Sequence, residues 1–166
     1  MDNKFTVGLI VANRFGVLTR VAGLFAKRNY NIDSLSVGKT ENPDFSRMTI
    51  VTVGDEYVRE QVVRQLEKLH DVKAVWLFSS DNSVSLEHML VKLCTTGENS
   101  PKVSALINAY GGKVMDFGSD FITAEITGHS ADIDRFLEES AALGILEVCR
   151  SGLISMVHGT ENILSI

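Results

Sequence analysis

No Cys-x-x-Cys pair, no clustered histidines and no apolar run near the roughly 20 residues of a bilayer-crossing helix occur in this sequence. Its two cysteines, Cys94 and Cys149, stand far apart, which argues against a zinc site or a redox pair and predicts two reduced thiols in strands. His70, His88, His129 and His158 fall on different predicted elements with no i, i+4 pair, so no metal site is expected. Gly111-Gly112 lacks the Lys-Ser/Thr of a phosphate-cradling loop. A basic excess is missing as well: residues 1–80 hold 11 Lys/Arg against 9 Asp/Glu, and residues 81–166 hold 5 against 12. That acidic second half opposes a nucleic-acid surface. Met1-Asp2-Asn3-Lys4-Phe5 lacks the basic-then-apolar layout of a secretion signal, so a cytoplasmic protein with no membrane partner is the expectation.

What is present is one pattern written twice. With 45% hydrophobic residues in 166, the chain can bury one medium core or two small ones. Phe5, Val7, Leu9 and Val11 alternate as a half-buried strand does, and then Leu18, Val21, Ala22 and Phe25 change to helical spacing. The reading is a helix from Gly16 to Asn29, with Asn29 as its left-handed closing residue. Strands follow over 32–38 and 47–53, a helix opening at Gly54-Asp55 with Val58, Val62, Leu66 and Leu69 inward, and a strand over 72–79. After the polar connector 80–83 the order returns: strand 88–95, helix 100–110, strands 113–117 and 121–127, helix 130–143 and strand 145–150. Ser100-Pro101 and Ser130 read as helix starts. The fold class expected is α+β, two βαββαβ domains of ferredoxin-like type, each a four-stranded antiparallel sheet with helices on one face. They span 1–80 and 84–159, with a tail at 160–166. Unpaired sheet edges predict a homodimer joined through the first domain.

Asn13-Arg14-Phe15-Gly16-Val17-Leu18 lies between the first strand and the first helix, and Asn31-Ile32 opens the next strand. A glycine at a helix mouth lets a ligand reach the unpaired amides, and those donors with the helix dipole favour a carboxylate. Asn13 and Asn31 add donors and acceptors suited to a free amino acid. The same residues also suit a helix cap, a tight turn and an edge strand. No nucleophile with a base converges in the sequence, so the signal is one of recognition.

Taken together, Asn13-x-x-Gly16-x-Leu18, Gly23-Leu24-Phe25, Tyr30-Asn31-Ile32-x-Ser34-Leu35, Ser46-Arg47-Met48-Thr49-Ile50 and Val53-Gly54-Asp55, with Leu90-Val91-Lys92 and Glu147-Val148-x-Arg150-Ser151-Gly152, resemble the regulatory small subunit of acetolactate synthase, whose first half is an ACT domain. The resemblance implies a non-catalytic subunit that binds and activates a large catalytic subunit and carries feedback inhibition by a branched-chain amino acid, usually valine, with leucine or isoleucine as alternatives. It implies no cofactor in this chain; thiamin diphosphate, FAD and Mg belong to the catalytic partner. It places effector contacts at Asn13 and Gly16 of one subunit and Asn31 of the other, with Phe15, Val17, Leu18 and Ile32 beside them. A rival reading is a stand-alone amino-acid-sensing ACT regulator of another enzyme or of transcription, but no helix-turn-helix pattern or basic arm accompanies it.

Overall fold

A computed structural model of the chain describes residues 3–96, 99–160 and 163. The first repeat contains β1 (Lys4–Ala12), α1 (Val17–Ala26), β2 (Ile32–Lys39), β3 (Phe45–Val53), α2 (Glu56–Leu66) and β4 (Val72–Phe78). The second contains β5 (Ser83–Cys94), α3 (Ser100–Ala109), β6 (Lys113–Phe117), β7 (Phe121–Gly128), α4 (Ser130–Ser140) and β8 (Ile145–Val157). Each repeat forms a four-stranded sheet, ordered β2-β3-β1-β4 and β6-β7-β5-β8. This is the expected βαββαβ architecture.

In the first sheet, Phe5, Val7, Leu9 and Val11 of β1 and Met48 and Ile50 of β3 meet Val17, Val21, Leu24 and Phe25 of α1 and Val62 and Leu66 of α2. One strand face and two helical stripes therefore share a core, as the two periodicities require. In the second sheet, Met89, Val91 and Leu93 with Ile122, Ala124 and Ile126 pack on Val103 and Ile107 of α3 and Ile133 and Phe136 of α4.

The chain divides into two compact units, one from Met1–Ser85 with Leu153–Ile166 and one from Leu86–Gly152. Within the first unit the end of β8 crosses the helix-free side of the sheet. Arg47 and Ser34 alternate with the core residues Met48 and Leu35, so they point to that side. Arg47 Nη1 donates to Ser155 O at 3.0 Å, and Ser34 Oγ accepts from Leu153 N–H at 3.3 Å. The Phe78 ring covers the same face of β1: a side chain at Gly8 would place its Cβ 2.3 Å from Phe78 Cε2. β1 is consequently buried on both faces from Val7 to Val11, where the sequence pattern suggested one.

Several local expectations change. α1 ends at Ala26 rather than Asn29, because Arg28, Asn29 and Tyr30 N–H fold back on Phe25 and Ala26 carbonyls; Asn29 does take the left-handed conformation, φ 56°. β5 and β8 are longer than read: they also take in residues 83–87 and 151–157, where exposed apolar side chains such as Val84, Ile154 and Met156 stand among serines. Asn99 and His129, not Ser100 and Ser130, occupy the N-cap positions of α3 and α4, and neither side chain makes a cap bond. Both cysteines are free, Cys94 on β5 and Cys149 on β8. No described helix is long and apolar enough to cross a membrane.

Candidate functional site

The first strand hands over to α1 through Asn13–Gly16, and this loop has no core residue of its own. Phe15 is fully exposed and Val17 is the first side chain to enter the core. Gly16 takes φ 81°, a left-handed conformation that costs an L side chain about 1–2 kcal/mol. It is the N-cap of α1 and offers no capping side chain. Phe15, Gly16, Leu18 and Thr19 N–H therefore find no acceptor among the described residues, while Val17 N–H reaches Arg14 O at 3.4 Å and Arg20 N–H reaches Gly16 O at 3.1 Å. Uncapped first-turn amides of this kind favour an anionic group.

Asn13 is fixed from the β2–β3 hairpin. Its N–H donates to Asp44 O at 2.7 Å, and its Nδ2 donates to Pro43 O at 2.9 Å. With Nδ2 turned to Pro43, Oδ1 is the side-chain atom left to accept. Asn31 has the same polarity: Nδ2 donates to Asp33 Oδ1 at 2.6 Å, and its carbonyl accepts from Thr52 Oγ1 at 2.5 Å. Ile32 begins the edge strand β2 and packs against the first core.

The structure brings Asn13, Phe15, Gly16, Val17 and Leu18 together but not Asn31 and Ile32. Ala12 pairs with Phe45, at the hairpin end of the sheet, whereas Ile32 and Phe5 both pair with Thr52, at the other end. The Phe5-to-Ala12 stretch separating these rungs spans roughly 23 Å at about 3.3 Å per residue. One chain cannot close both groups around an amino acid.

Sequence reasoning missed the residue that ties the loop down. Asp71, with its side chain 6% exposed, accepts from Arg14 Nε at 2.9 Å and from Arg14 Nη2, and pairs with Arg20 Nε at 3.2 Å. Its carbonyl accepts from Ala12 N–H at 2.8 Å, beside an irregularity in the β1–β4 pairing at Ile10/Val11. The Arg14 hydrogen bond holds the Asp71 carboxyl below its ordinary range, helped by the charges of Arg14, Arg20 and His70. No local pattern links Asp71 to a loop 57 residues earlier.

In the second unit Arg150 binds Glu87 through Nε at 2.6 Å and Nη2 at 2.7 Å, and Asp134 through Nη1 at 2.7 Å. These carboxylates raise the Arg150 pKa, with Glu87 the larger cause. Glu87 is buried, so the pair locks β8 to β5 rather than offering free charge. No group of three or more His, Cys, Asp or Glu among the described residues could hold a metal ion.

Comparison with known proteins covers nearly the whole chain. Residues 7–74 match the small subunit-like ACT domain of AHAS, and residues 86–159 match a domain described as the small subunit of acetolactate synthase. A probable acetolactate synthase small subunit from Archaeoglobus fulgidus is 39% identical over 158 residues, which is 95% of this chain and 99% of that one. The isozyme 3 small subunit of Escherichia coli is 39% identical over 156 residues, 93% of this chain and 96% of its own. Among solved structures, the acetolactate synthase small subunit of Thermotoga maritima superposes with a TM-score of 0.88 at 31% identity, covering 95% of this chain and 99% of that one.

Proposed function

The chain belongs to the acetolactate synthase small-subunit family, the regulatory and non-catalytic class of subunit with an ACT domain, and from that premise we propose that it activates the large catalytic subunit and makes it sensitive to a branched-chain amino acid, valine foremost. Thiamin diphosphate, FAD and Mg are assigned to that catalytic partner. The observation that carries the reading is the mouth of α1: uncapped amides beside Gly16 for a carboxylate, and the oriented Oδ1 of Asn13 for an α-ammonium.

The separation of Asn13 and Asn31 supports a site completed by a second copy. Two first domains joined about a two-fold axis bring opposite sheet ends together, so Asn31 and Ile32 of one chain meet the Asn13–Leu18 segment of the other. Edge strand β2, with its unpaired backbone groups, is the natural seam. Micromolar-to-millimolar binding requires about −8 to −4 kcal/mol. Charge-assisted hydrogen bonds of about 1.5–3 kcal/mol each, less ordering costs, reach that range with two or three contacts. An isopropyl group buried against Ile32 or Leu18 adds about 0.8 kcal/mol per carbon and selects against polar amino acids.

Calorimetry with valine, leucine and isoleucine tests this, alongside activity of the large subunit with and without this chain. Asn13→Ala and Asn31→Ala are each expected to weaken binding at least tenfold and to release inhibition while preserving activation. Unaltered affinity in both variants moves the site elsewhere.

A further inference from the structure

We propose that Asp71 is the positioning residue of the Asn13–Gly16 loop, one carboxylate that keeps the loop in the shape its amides need to grip an effector; the proposal rests on the effector reading above. Its anchors lie before, within and after the loop. The Asp71 carbonyl takes Ala12 N–H at 2.8 Å, its carboxylate takes the Arg14 guanidinium, with Nε at 2.9 Å, and it pairs with Arg20 Nε at 3.2 Å in α1. Between Ala12 and Val17 no side chain enters the core. Apart from these ties, the loop is held by the two bonds of Asn13 to the hairpin and by short-range backbone bonds, Arg14 N–H to Ala12 O, Val17 N–H to Arg14 O and Arg20 N–H to Gly16 O, none of which links Phe15 to the rest of the domain.

A purely electrostatic role and a positioning role have opposite signs. Were Asp71 to act only through its charge, removing that charge would leave Arg14 and Arg20 unopposed beside a carboxylate-binding site and tighten binding. Acting as a brace, its removal leaves the competent loop in a fraction of the molecules, and the apparent affinity falls by that fraction. Arg14→Gln breaks the same tie from the other side with the opposite change in charge. Arg14 is more than half exposed, so that variant retains the core.

The experiment uses the full-length protein with Asp71→Asn, Asp71→Glu and Arg14→Gln. Without ligand, backbone order parameters at residues 14–18 are expected to drop from about 0.85 to below about 0.6 in Asp71→Asn and Arg14→Gln, while those of β1 and β3 stay unchanged. The valine dissociation constant rises roughly tenfold in both variants, and Asp71→Glu recovers part of the loss. An unchanged loop in Asp71→Asn overturns the proposal, as does valine binding that tightens. Failure of the unsubstituted protein to bind valine, leucine or isoleucine overturns the effector reading instead, and the order parameters still decide whether Asp71 holds the loop.

Discussion

At the scale of single residues, the Asp71 carboxylate links loop geometry to pH. Its facing groups are Arg14, Arg20 and His70, and its folded pKa lies below the ordinary value. A group of this sign contributes stability that is fully present above the unfolded pKa of about 3.9 and disappears as pH falls through the folded value. Thermal midpoints of the protein and its Asp71→Asn variant are therefore expected to differ at about pH 5 and above and to converge as pH falls below about 4. A gap that persists unchanged to pH 3 contradicts the ion pair. Residue-level features set by local stereochemistry were legible in the sequence: Asn29 adopts the left-handed conformation expected of it, and Gly16 marks the helix mouth. Asp71 was not legible, because an ion pair across 57 residues leaves no trace in spacing. The cap positions missed by one residue, since Ser100 and Ser130 have the right chemistry but lie inside the first helical turn.

At the scale of elements, alternation and helical spacing recovered both sheets and the four α-helices of the described residues. The first five residues of β5 and the last seven of β8 did not show as strand, because Ser83, Ser85, Ser151, Gly152 and Ser155 interrupt their apolar residues as connector residues do. Gly8 illustrates a packing fact that pattern alone hides. It sits at the center of β1 because the Phe78 ring occupies the space a side chain would take, with Cε2 at 2.3 Å and Cζ at 2.6 Å from an ideal Cβ. Gly8→Val is expected to cost about 1–3 kcal/mol by overpacking, seen as a lower denaturation midpoint at unchanged slope. Adding Phe78→Leu should recover part of that loss through coupling between contacting sites. Strictly additive losses in the double variant contradict the contact.

At the scale of the molecule, the decisive fact is that one chain carries the two halves of its candidate site at opposite ends of a sheet. The sequence resemblance pointed to a shared site, and the strand register supplies the physical reason that a single chain cannot form it. A ligand bridging two copies favours whichever quaternary state brings them together, and a coupling of about 1–3 kcal/mol is enough to regulate a partner. The most direct measurement is calorimetry of valine on a purified heterodimer of one Asn13→Ala chain and one Asn31→Ala chain. If the site is shared, one of the two sites in that heterodimer is intact and the other lacks both asparagines. The account predicts one valine per heterodimer at the unsubstituted affinity, against two per unsubstituted dimer and weakened binding in either variant homodimer. A heterodimer that binds no better than those homodimers contradicts it.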